Sequence, residues 1–84
     1  MTYTATIQNG IGSAVISTQT FASIKKAKAF VRSELNTDGL LLPADSDRQA
    51  VISDDEMPSR HLRAWVRFGK INWGGDHPRS WDRA

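Results

Sequence analysis

His61-Leu62-Arg63-Ala64-Trp65-Val66-Arg67-Phe68 alternates strictly along its length. Successive side chains of a strand point to opposite faces, so Leu62, Ala64, Val66 and Phe68 share one side and Arg63, Trp65 and Arg67 the other. The aliphatic side belongs in a core. The opposite side then carries an indole between two guanidiniums, and the fold must supply a sheet with one covered face and one open face.

The chain on either side of this strand reads consistently with that demand. Downstream, Gly69 permits a bulge or a tight Gly69-Lys70 reversal before Ile71 and Trp73. Upstream, Asp54-Asp55-Glu56-Met57-Pro58-Ser59 reads as an acidic turn, and Arg48 to Ser53 as a short strand leading into it. Near the N-terminus, Thr2-Tyr3-Thr4-Ala5-Thr6-Ile7 alternates with Tyr3, Ala5 and Ile7 on one side. Asn9-Gly10 is a favoured pair for a type I′ turn, which predicts a hairpin with Ile16 opposite Tyr3 and Ala14 opposite Ala5. A four-residue loop over Asn9 to Gly12 would shift that register by two and keep the same faces.

Between the hairpin and the later strands lies a helical pattern. Ile24, Ala27, Phe30, Val31 and Leu35 make one apolar stripe, Ser23 is placed to cap it, and Phe21 is placed to pack back on it. Asn36-Thr37-Asp38-Gly39 supplies stop signals, and Leu40 to Asp47 reads as a connection interrupted by Pro43. The expected fold is α+β: a single ββαββ domain over residues 1–75, an antiparallel sheet with one helix across its apolar face. Residues 76–84 have no period and are expected to form a loosely held C-terminal tail. Trp73 is expected to close the end of the core and Trp81 to be partly exposed, with the tail folding onto its own domain in preference to a partner.

Composition limits what such a domain can do. The chain has 84 residues, 39% of them hydrophobic and 24% charged, so one modest core is all it can build. Folding at this size hides roughly 60–65% of the extended chain's surface. No apolar run exceeds three residues, as at Leu40-Leu41-Leu42, which excludes a helical membrane span, and the polar start after Met1 does not resemble a secretion signal. Zero cysteines exclude disulfides and a thiol nucleophile and fit a reducing, cytoplasmic setting.

The formal charge of +2 conceals strong segregation. No charged side chain occurs from Met1 to Ile24. Residues 25–35 hold Lys25, Lys26, Lys28 and Arg32 against Glu34. Residues 36–59 hold six carboxylates against Arg48, and residues 60–84 hold six basic groups against Asp76 and Asp82. The molecule is therefore dipolar rather than uniformly basic.

Catalytic and metal signals are weak. His61 and His77 lie 16 positions apart with no cysteine between them. Asp45-Ser46-Asp47 opens like a calcium loop but lacks the glycine and closing glutamate at the required offsets. The carboxylates of Asp54-Asp55-Glu56 should point apart in an extended turn, and the Asn9-Gly10-Ile11-Gly12 glycines belong to a hairpin rather than a phosphate loop. The expectation is a non-enzymatic domain with no cofactor and no metal.

The Arg63-Trp65-Arg67 face is the feature most suggestive of function. Its residues could simply satisfy one another as a surface ladder of cation–π pairs. They are also of the types enriched at binding hot spots, and basic groups beside an aromatic suit a phosphate chain with a stacked base. We expect a protein partner docking through Arg63, Trp65, Arg67 and Lys70, with Lys25, Lys28 and Trp81 as secondary contacts. Weak nucleic-acid binding by the same face, helped by the helix lysines, is the alternative, and a homodimer through edge strands is a further expectation.

The segment Thr20-Phe21-Ala22-Ser23 followed by Ile24-Lys25-Lys26-Ala27-Lys28-Ala29-Phe30-Val31 and two further strands looks like the architecture of many small phage or mobile-element accessory proteins. Some anti-CRISPR and other host-defence inhibitors have this size. The resemblance covers about 70 residues, is architectural, and implies an inhibitor that binds a host protein.

Overall fold

The computed structural model describes residues 2–9, 15–35, 48–67 and 70–83. The expected Asn9-Gly10 turn, the helix stop at Asn36 to Gly39, the connection from Leu40 and the inward placement of Phe68 fall wholly or partly outside these residues. Five strands and one helix follow in the order β1 (Tyr3–Asn9), β2 (Val15–Phe21), α1 (Ile24–Leu35), β3 (Arg48–Asp54), β4 (His61–Arg67) and β5 (Lys70–Gly74). The strands form one antiparallel sheet in the spatial order β2-β1-β3-β4-β5. The α+β class and the antiparallel sheet stand as expected. The ββαββ order is corrected to ββαβββ, because Lys70–Gly74 is a strand in its own right.

That fifth strand has a simple cause. Ile71 and Trp73 pair with Val66 and Ala64 of β4, so each two-residue alternation of β5 extends the apolar face already laid down by β4. The helix position follows equally from topology. β2 and β3 both run antiparallel to β1 and hence parallel to each other on either side of it. Parallel strands need a crossover, and α1 lies in the connection that makes it.

Ala27, Val31 and Leu35 of α1 are fully buried against Ala5, Ile7, Ala50, Ile52, Leu62, Ala64 and Val66 from the inner sheet face. Ser23 caps α1 as expected: its Oγ accepts the Lys26 amide at 3.2 Å. Beyond the other end, the Arg48 guanidinium donates to the Glu34 carbonyl at 3.1 Å, satisfying one of the carbonyls that a helix C-terminus leaves without an intrahelical partner.

The sequence left the hairpin register open between two pairings, and the structure adopts neither. Tyr3 faces Phe21 rather than Ile16, and Ala5 faces Gln19 rather than Ala14, with a register shift after Ile7 so that Gln8 faces Val15. Burial of the larger side chain accounts for the choice. In this register Phe21 reaches Phe30 of α1 with ring centroids 5.3 Å apart, and Val15 and Ile16 are left outside.

The C-terminal segment is tied down, in contrast to the loose tail the sequence suggested. Residues Arg79–Arg83 form a 3-10 turn that carries Trp81 into the core. Trp81 is 4% exposed, which corrects the expectation of a partly exposed side chain. Its ring meets Tyr3 edge to face at 5.4 Å and stacks on His77 at 6.1 Å. Gly75 makes this return path possible. Its φ of +120° is open to glycine, and a Cβ there would sit 2.8 Å from the His61 carbonyl.

The acidic turn after β3 is built from hydrogen bonds. Asp54 is buried and accepts the amides of Glu56 at 2.9 Å and Met57 at 3.4 Å. Asp55 points the other way and accepts the hydroxyls of Thr2 and of Thr4, the latter at 2.6 Å. Those hydroxyl bonds hold the Asp55 carboxyl below its ordinary range. A depressed folded-state pKa gives stability that is present above the unfolded value, about 3.9, and lost as pH falls through the folded value. Thr4→Val should therefore move the Asp55 titration upward in an NMR pH series; an unmoved titration would show that the bond does not form in solution.

Candidate functional site

Because α1 covers the inner face, the outward positions of the strands remain open. The pairing aligns them in rows across the sheet. One row reads Val15, Gln8, Gln49, Trp65, Asn72, and the next reads Thr18, Thr6, Val51, Arg63, Gly74. A third brings together Thr20, Thr4, Ser53 and His61. The row residues themselves include no carboxylate, but Asp55 of the acidic turn reaches the Thr4 hydroxyl at the third row. Arg63 and Lys70 are exposed, and Trp65 is 37% exposed near the middle of β4. Arg67 is placed by its backbone, opposite Lys70.

Trp65 is supported from below by the absence of a side chain. Gly74 lies diagonal to it on β5, and a Cβ built there would stand 3.0 Å from Cη2 and 3.3 Å from Cζ3 of the indole. The six-membered ring therefore rests over the glycine. This partner escapes a reading of the sequence alone, because a diagonal neighbour exists only once β5 is recognised as a strand. Gly74→Ala should tilt the indole off the sheet, seen as a changed Trp65 side-chain chemical shift with little change in melting temperature. An unchanged Trp65 environment would contradict the contact.

The secondary contacts fall elsewhere. Lys28 is 5% exposed, its Nζ donates to the Trp81 carbonyl at 2.9 Å, and it lies 5.3 Å from the centroid of the Trp73 ring. Burial, and then the nearby Arg32, push the Lys28 amine below its ordinary pKa, while Asp82 opposes the shift. Trp81 is in the core. Lys25 is exposed, but on the helix, which lies against the opposite side of the sheet from Trp65. None of Lys25, Lys28 and Trp81 lies on the Trp65 face.

Cation–π contacts also appear in a different place from that expected. Among the described side chains they fall on Trp73, flanked by Lys28 and by Arg32 at 5.6 Å, rather than on Trp65. Helix cations therefore pack Trp73 against the core's end, where the sequence placed it.

A concavity open to solvent lies at one end of β4, lined by Ser59, Arg60, Asp76, His77 and Pro78. A serine near a histidine invites comparison with a nucleophile and its base. Here Nδ1 of His77 faces the Gly75 carbonyl at 3.2 Å and Nε2 faces the Asp82 carboxylate at 2.7 Å. Both ring nitrogens are engaged, so neither is placed to take a proton from Ser59. His61 is likewise directed at backbone, with Nδ1 3.2 Å from the Ser59 carbonyl.

Among the described residues no helix is long and apolar enough to cross a membrane. Compared with known proteins, the chain matches no family model, no curated protein and no solved structure.

Proposed function

We propose that this chain is a non-enzymatic protein-docking module whose open sheet face receives an acidic partner surface, with Trp65 as the anchor. The observation that carries the reading is the seating of the Trp65 indole over Gly74, with exposed Arg63 and Lys70 on the same face. An aromatic already held in one orientation loses little freedom on binding, and such residues dominate hot spots. Arg63 and Lys70 flank it and provide charge-assisted contacts, with Arg67 as a further contributor by sequence. Thr6, Gln8, Gln49 and Asn72 offer the hydrogen-bonding rim that protein interfaces use.

Nucleic acid is the less favoured partner for two reasons. Sheet surfaces that bind single strands stack successive bases on several aromatics, whereas Trp65 is the single tryptophan, tyrosine or phenylalanine in the outward rows described above. The helix lysines that would extend a phosphate track lie on the other side of the sheet. A module of this kind acts by covering a partner's surface, which is also how an inhibitor of a host-defence protein would act.

The test uses two probes. A single-stranded oligonucleotide titrated at physiological salt should show no measurable binding. A nuclease-treated lysate passed over immobilised wild type should leave a protein that a Trp65→Ala column does not retain. Oligonucleotide binding with a steep salt slope would overturn the reading in favour of a phosphate ligand.

A further inference from the structure

Among the described residues the sheet has two edges, β2 and β5, and they are built differently. β5 is five residues long, opens with Lys70 and ends at Gly74-Gly75. β2 is seven residues long, Val-Ile-Ser-Thr-Gln-Thr-Phe, with no charge and no proline. Five of its seven residues, Val15, Ile16, Thr18, Thr20 and Phe21, are β-branched or aromatic and favour extended structure. Natural edges are normally protected by lysine, proline, shortness or bulges, since an unpaired row of backbone donors and acceptors is a template for another strand. β2 carries one of these devices, the register shift at Ile7/Gln8, and Ser17 to Phe21 remain in regular register beyond it.

Two more observations point to what pairs there. Val15 and Ile16 are 53% and 49% exposed, at the end of an otherwise polar edge. No formal charge occurs anywhere from Met1 to Ile24, so nothing on the β1–β2 hairpin repels an identical hairpin. We infer that the β2 edge pairs antiparallel with the β2 edge of a second copy of this chain, forming a two-fold dimer with one continuous ten-stranded sheet. Antiparallel pairing of identical strands requires a two-fold axis through the pair. Full overlap of seven residues places that axis at Thr18. Thr18 then faces Thr18 of the second copy and Ser17 faces Gln19 within the regular part of the strand, while the register shift leaves Val15 on the outward side, opposite in facing to inward Phe21. Trp65 lies three strands away from β2, about 14 Å at the usual interstrand spacing, so the dimer leaves both Trp65 faces open.

This inference does not rest on the docking role of Trp65, and its test is separate. Sedimentation equilibrium on the full wild-type chain, from micromolar to millimolar concentration, should show the mass rising from one chain to two. Thr18 is exposed, so Thr18→Lys and Thr18→Glu should each fold, as circular dichroism will show. Each alone sets like charges face to face and should weaken association about fivefold or more. An equimolar mixture of the two should recover it. A wild-type chain that stays at single-chain mass at millimolar concentration would overturn the inference. Lysine and glutamate variants that each associate as tightly as wild type would do the same.

Discussion

Trp65→Ala lowers partner affinity by at least about 2 kcal/mol, roughly thirtyfold, and leaves the melting temperature almost where it was. Both halves of that expectation come from the same geometry. The indole stands on the open face, 37% exposed, with Gly74 beneath it and the buried core on the other side of the sheet. Its removal therefore costs the fold little, while a partner that seats on it loses its largest contact. Affinity should also fall only modestly with added salt, because the anchor is apolar and Arg63 and Lys70 contribute a limited charge term. Calorimetry on the captured partner, paired with thermal melts of both proteins, measures the two effects together. A Trp65→Ala variant that unfolds would mean that the indole is structural.

Trp81→Ala should behave in the opposite way, destabilising the domain by about 3–5 kcal/mol in urea unfolding. A chain of this size has a total stability of roughly 4–13 kcal/mol, so a large share of the variant should be unfolded at moderate temperature. The cost has several sources. The substitution empties a buried site, removes the edge-to-face contact with Tyr3 and the stack on His77, and loosens the turn whose carbonyl accepts the Lys28 ammonium. Truncation after Gly75 should be as damaging, since it withdraws the same side chain and the same acceptor. A truncated chain with wild-type stability would show that residues 76–83 are dispensable and that the core closes without them.

The contrast between these two tryptophans shows what the sequence discloses and what it withholds. Trp65 could be placed from local pattern alone, because its neighbours Ala64 and Val66 alternate with Arg63 and Arg67 and a strand admits two faces. The helix was equally legible: its stripe and its Ser23 cap are local features, and both appear where expected. Trp81 has no periodic context. Its burial depends on Gly75 turning the chain back across His61 and on Tyr3 lying ready some eighty residues earlier in sequence. β5 was missed because two inward residues, Ile71 and Trp73, are too few to establish a period without β4 beside them. The β1–β2 register stayed open in the sequence for a related reason. Asn9-Gly10 is a strong turn signal, yet the non-local contact between Phe21 and Phe30 goes with a different pairing. Lys28 shows the same limit for charge, since its sequence neighbours suggest a solvated face and only the packed tail makes it a buried donor.

The most direct test of the docking face is a site-specific photo-crosslink in the cell from which the chain comes. A photoreactive residue at Gln49, beside Trp65 in the same row, should yield one discrete protein adduct, and the same residue at exposed Lys25 across the sheet should not. An adduct that disappears on nuclease treatment, or equal labelling at both positions, would contradict the assignment of the open face to a protein partner.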